Sequence, residues 1–175
     1  MMNWLKRCTQ RVKHLAIAAV LAAAAWAPAA HAQALSDYVE NNAVDYIFRA
    51  QTWTIAAAFH VGLSTAACSD SSVGTEVSGG SYARVSVTRS LANWAGTQSS
   101  GSTTASTGTG GVTSNNNAIT FPTPTAGWGT VTHFFISDAS SGGNIILCQA
   151  LTTSKTINSG DSVSFAAAAL TVTFQ

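Results

Sequence analysis

"AFHVGLS", Ala58 to Ser64, sets Phe59, Val61 and Leu63 on one side of an extended chain and Ala58, His60, Gly62 and Ser64 on the other. Successive side chains of a strand point to opposite faces, so this alternation describes a β-strand with one dry side. "YARVSVT" (82–88) repeats the pattern, with Ala83, Val85 and Val87 opposite Tyr82, Arg84, Ser86 and Thr88. Near the C-terminus "ALTVTF" aligns Leu170, Val172 and Phe174, and "NAITF", "GTVTHFFIS", "NIILCQALT" and "DSVSF" supply further short strands. Turn-forming clusters separate them: "SGG" at 78–80, "SSGGN" at 140–144 and "NSGD" at 158–161. Short strands spaced by turns, with no helices alternating between them, predict an antiparallel β-sandwich or jelly roll of about seven or eight strands.

Upstream of these strands the period changes. In "LSDYVENNAVDYIFR" (35–49) the apolar Leu35, Tyr38, Val39, Ala43, Tyr46 and Ile47 recur at spacings of three and four, while Asp37, Glu40, Asn41 and Asp45 take other faces. That pattern predicts one short amphipathic α-helix with Ser36 as N-cap and Asp37 and Glu40 in the first turn, where the helix dipole favours negative charge. About four turns of helix are marginal alone in water, so the helix must dock on its own β domain or on a neighbouring subunit.

The first 32 residues are set aside from the fold. Lys6, Arg7, Arg11 and Lys13 precede the apolar run "LAIAAVLAAAAWAPAA", which ends in "AHA" at 30–32. A basic start, an apolar middle and a small-residue cleavage site are the three parts of a secretory signal peptide. The expected organisation is therefore a leader over 1–32, the amphipathic helix over 33–50 and the β domain over 51–175. The stretch "GTQSSGSTTASTGTGGVTSNNN" (96–117) interrupts that domain. With Val112 as its only sizeable apolar residue it reads as a long, mobile surface loop, either a passive link or a place where a partner is met.

Charge narrows the partners. The whole chain has eight basic and seven acidic residues. Four of the basic ones fall in the leader, leaving Arg49, Arg84, Arg89 and Lys155 against all seven acids, a net of 4 − 7 = −3. Without a basic patch to neutralise phosphates, nucleic acid is not an expected partner. A surface of Ser, Thr, Gly and Asn suits packing against copies of the same chain. Once the leader is removed, no membrane association is expected, and the location is extracellular or on a virion. Cys68 and Cys148 remain after the leader. An even pair in an exported chain is the pattern of a disulfide, and the alternative is two buried free thiols.

The chemistry-bearing residues fall into no known arrangement. His60 and His133 lack Cys, Asp or Glu at metal-ligand spacing, so no metal is expected. No serine sits in a GxSxG elbow, no Ser/His/Asp set stands out, and the glycines of "GTGG" and "SGGS" match no phosphate-binding loop. Asp138 and Asp161 flank turns. The expectation is a protein with no catalytic residues and no cofactor. Tyr38, Tyr46 and Phe48 on the helix, and Tyr82 with Arg84 on an outer strand face, are candidate interface residues, since Tyr and Arg are enriched at binding hot spots. Trp94 and Trp128 lie near loops, either capping the core or forming a platform for a cell-surface glycan.

The opening helix, "EVSGGSYAR", "ITFPTPTAGWGTVTHFFISDA" and the closing "SGDSVSFAAAALTVTF" together resemble a family of small tailed-phage virion proteins of the tail-fibre type, along Leu35 to Gln175. The resemblance implies a non-enzymatic β-sandwich that assembles with itself or with other virion proteins. Measured against that family, the leader and the two cysteines are additions. A secreted filament or surface-layer subunit of phage origin is the second reading, and a carbohydrate-binding module the third.

Overall fold

A computed structural model describes residues 35–174, and the leader expected over 1–32 lies outside these residues. The first element, α1 (Asp37–Phe48), opens on Ser36, whose Oγ accepts a hydrogen bond from the Val39 N–H at 3.3 Å. The Ser36 hydroxyl also donates to the Ile145 carbonyl, and the Ser36 N–H reaches the Ile146 carbonyl at 3.4 Å. One side chain therefore caps the helix and fastens it to a strand. The helix closes at Arg49, whose N–H returns to the Asp45 carbonyl.

Eight strands follow among the described residues: β1 (Ala58–Ser64), β2 (Val85–Thr88), β3 (Val112–Ser114), β4 (Ile119–Thr120), β5 (Gly129–Ser137), β6 (Ile145–Ile157), β7 (Ser164–Phe165) and β8 (Thr171–Thr173). β2, β1, β5 and β6 form one sheet in that order, and β3 with β8 and β4 with β7 form two short ribbons. Every pairing is antiparallel. Among the described residues the chain is thus mainly β with a single leading helix, as its patterning predicts. Val61 and Leu63 of β1, with Phe134 and Ile136 of β5, face Ile119, Leu170 and Val172 of the ribbons across one core. Burial of such side chains is the main driving force for this arrangement.

The other face of the large sheet is not wet. Gly62 pairs with Phe135, and Phe135 in turn with Cys148. The Phe135 ring is fully buried and occupies the space that a Cβ at position 62 would need. Above it the segment between β1 and β2 folds back. The Val77 N–H bonds the Leu63 carbonyl, and the Ser64 hydroxyl bonds the Thr75 carbonyl. Cys68 and Cys148 are joined by a disulfide with Cα atoms 6.2 Å apart, pinning this cover to β6 across a sequence separation of 80 residues. β1 is therefore buried on both sides, which is why Ser64 is as buried as Val61.

The polar stretch 96–117, expected as a surface loop, is irregular and mostly exposed over 96–111 but departs from that expectation at its end. Its last part supplies β3, which pairs with β8 in the register Val112 to Thr173 through Ser114 to Thr171. Next to it Asn115, 1% exposed, donates from Nδ2 to the Asn117 and Ala166 carbonyls at 2.8 Å each, and its Oδ1 accepts from the Leu170 N–H at 2.9 Å. Residues 96–111 lie at the surface, where the Gln98 amide bonds Thr104 Oγ1 and the Ala105 carbonyl and accepts from the Thr107 N–H. Polar side chains bonding to backbone organise this segment in place of apolar burial.

Two outcomes follow from the covered face. Gly62→Ala drives a methyl into the Phe135 ring and lowers unfolding stability by about 1–3 kcal/mol in urea titration. Replacing both cysteines with serine opens the 80-residue loop and lowers stability by up to about 4 to 5 kcal/mol, read in the same titration against the unreduced chain.

Candidate functional site

The helix divides into a docked half and a free half. Val39 is buried in the common core, Leu35 and Tyr38 pack against it, and Tyr38 meets Trp53 edge-on at 6.4 Å. Beyond Ala43 the apolar side chains leave the domain: Ile47 is 66% exposed, Phe48 80%, and Val44 and Tyr46 are also exposed. Positions 44, 47 and 48 share one face because residues three and four apart lie side by side on a helix. Of the candidate interface residues on this element, Tyr46 and Phe48 stand in solvent, whereas Tyr38 is partly covered by its own domain. A contiguous apolar strip at the end of an otherwise seated helix is the kind of surface that a partner covers.

Tyr82 and Arg84, expected on an outer face, are internal. Arg84 binds Glu76 through two parallel contacts, Nε to Oε1 at 2.7 Å and Nη2 to Oε2 at 2.8 Å. Its Nη1 donates to the Ala139 and Gly142 carbonyls at 2.8 Å each, and the guanidinium lies 4.8 Å from the centroid of the Phe135 ring. The Arg84 side chain is only 4% exposed. The Glu76 carboxylate accepting these bonds holds its pKa above the ordinary arginine value. The Tyr82 hydroxyl accepts from the Leu63 N–H at 2.9 Å and donates to Glu76 Oε1 at 3.1 Å. Burial pushes its pKa above the ordinary tyrosine value. Tyr82 and Arg84 precede β2 and part company. The Tyr82 ring packs with Val85 and Val87 against the main core, stacked on Phe121, while Arg84 lies over Phe135 on the other face beneath the segment ending in Glu76. The alternation expected through "YARVSVT" therefore does not reach back to Tyr82. This pair is structural and belongs to no exposed interface.

The two tryptophans also separate. Trp128 is 5% exposed, its indole N–H donates to the Gly80 carbonyl at 3.0 Å, and its ring sits edge-on to Tyr82 at 5.3 Å. It caps the core and offers no face to a glycan. Trp94 is partly buried against Phe59, and its indole nitrogen is enclosed without a hydrogen-bond partner among the described residues. It lines an apolar groove of about 460 Å³ with Phe59, Leu91, Ile146 and Phe174, and Arg89 stands among the lining residues.

Asp138, Asp161 and His133 are engaged locally, whereas the His60 Nδ1 is enclosed without a partner among the described residues. Asp138 accepts from the Asn144 backbone and side chain, and Asp161 from the Asn158 N–H, so both lock turns. His133 Nδ1 shares a hydrogen bond with Thr132 Oγ1. Among the described residues no three His, Cys, Asp or Glu side chains converge as metal ligands, and no helix is long and apolar enough to cross a membrane. Glu76, Asn115 and Gln98 were not legible as key residues, because a lone acid or amide in a polar stretch carries no periodic signal.

Comparison with known families adds a name to this geometry. The family model described as Podophage GP4 fiber I protein gp80 matches residues 34–173. No curated protein matches the chain.

The Arg84–Glu76 pair yields a stability test. Glu76→Gln leaves a buried guanidinium without its counter-charge and lowers unfolding stability by about 3 kcal/mol. Arg84→Lys keeps the charge but forfeits the two-pronged contact, and it also unfolds earlier in urea than the unmodified chain.

Proposed function

The chain belongs to the podophage GP4 fiber I protein gp80 family, and from that membership we propose that it is a non-enzymatic structural subunit that assembles with copies of itself or with other virion proteins. The observation that carries the reading is α1: its first half is fastened to β6 by Ser36, and its second half holds Val44, Ile47 and Phe48 in solvent. Keeping three large apolar side chains exposed is unfavourable for an isolated molecule, and covering them on a neighbour recovers that free energy. Glu76 is engaged in an ion pair and Asp138 and Asp161 in turn contacts, which fits a building block.

A specific feature favours a second setting for the same role. The basic and apolar pattern of residues 1–32 and the Cys68–Cys148 bond both suit an oxidising compartment. In that setting the chain is a secreted filament or surface subunit of phage origin.

Electron microscopy of native material combined with N-terminal sequencing tests both. Fibres or particles containing the chain are expected. Recovery with virions supports the first setting, and recovery from culture supernatant with Gln33 as first residue supports the second. A chain that stays monomeric at every concentration and on every particle overturns the reading.

A further inference from the structure

α1 has an outward face that extends beyond its apolar end. Asp37, Glu40, Val44, Ile47 and Phe48 are all exposed and fall within about a third of a turn of one another on the helix. That face is acidic in its first turn and apolar in its last. Neither Asp37 nor Glu40 forms an ion pair among the described residues.

The groove beside Trp94 has the opposite character in the same two respects. Its floor is built from Phe59, Ile146 and Trp94, and its rim from Leu91 and Phe174, each about half exposed. Arg89 joins that lining and forms no ion pair among the described residues. Arg84 and Arg49 are committed to Glu76 and Asp45. An apolar cleft with one free cation thus matches an apolar helix strip with two free carboxylates.

We propose that α1 of one copy seats Val44, Ile47 and Phe48 in the Trp94–Leu91 groove of the next copy, with Glu40 and Asp37 turned toward its Arg89. The inference rests on the assembly reading above and names the surfaces that carry it. It uses the helix-in-groove mode of recognition, in which side chains at i, i+3 and i+4 act as anchors. The two surfaces are different parts of one chain, so the contact is heterologous. Every copy with an occupied groove still offers a free helix, and such a contact extends into a ring or a filament. The charges set direction and register, and the apolar anchors supply most of the affinity.

Sedimentation of the full chain over a range of concentrations tests this with two variants. Ile47→Ser/Phe48→Ser removes the anchors, and Leu91→Glu blocks the groove and repels Glu40. Both alter exposed side chains. Each variant alone is expected to associate at least about tenfold more weakly than the unmodified chain. An equimolar mixture is expected to form one-to-one dimers, because the first variant keeps its groove and the second keeps its helix. Arg89→Glu weakens association, and adding Glu40→Arg to the same chain restores it. Variants that assemble like the unmodified chain, a mixture that stays monomeric, or a double reversal without recovery overturns this contact while leaving self-assembly standing. An unmodified chain that never associates overturns the assembly reading itself.

Discussion

The guanidinium of Arg84 holds together parts of the chain that no strand pairing joins. It grips Glu76 from the segment between β1 and β2, the Ala139 and Gly142 carbonyls from the β5–β6 turn, and the ring of Phe135 at the centre of the sheet. Placing a charge there is costly unless each donor is used, and the bidentate carboxylate with two carbonyls comes close to using them all. Because the pair is satisfied, the sheet can carry a cover on its outer face without a second hydrophobic core. Phe135 then lies beneath a cation, and Gly62 is the only residue small enough to let the ring lie flat against β1.

That cover changes what the rest of the surface is free to do. With one face of the sheet closed by the 65–84 segment and the other by the ribbons, the exposed apolar side chains concentrate at two places, the end of α1 and the groove rim. Leu91, Val112 and Phe174 belong to the rim region or its neighbour strand, and Val44, Tyr46, Ile47 and Phe48 to the helix. A protein with few surface charges is kept soluble by confining its apolar exposure in this way, since scattered apolar exposure promotes unspecific association.

Much of this fold could be read from residue patterning, and the failures have definite physical causes. "AFHVGLS" and "GTVTHFFIS" are β1 and β5 from end to end, and Ser36 caps the helix that its position implies. Long alternating runs carry enough side chains to state their period. β3 has three residues and a single apolar one, so it is stabilised by pairing with β8 and by Asn115, neither of which leaves a local trace. Alternation through "YARVSVT" puts Tyr82 and Arg84 together on a solvent face, whereas both precede β2, the Tyr82 ring joins the core and Arg84 lies under the cover. Periodicity reports which residues share a face and is silent on what a distant segment lays over it. Trp128 illustrates the converse, because its neighbourhood of Gly, Pro and Thr reads as a loop although Pro124 and Phe121 are buried with it. The alternatives for Cys68 and Cys148 are resolved by distance alone, which spacing along the chain does not encode.

The cross-link between Cys68 and Cys148 has a consequence for load. Tension applied along the chain from α1 reaches Cys68 and passes through the sulfur bridge to β6. The chain between them, a sequence separation of 80 that stretched out would release roughly 260 to 290 Å of slack, is bypassed. Force can strip away the segments outside the bridge, β1 among them, but β2, β5 and most of the Phe135 cover lie between Cys68 and Cys148, so the length stored there stays closed while the bridge is oxidised.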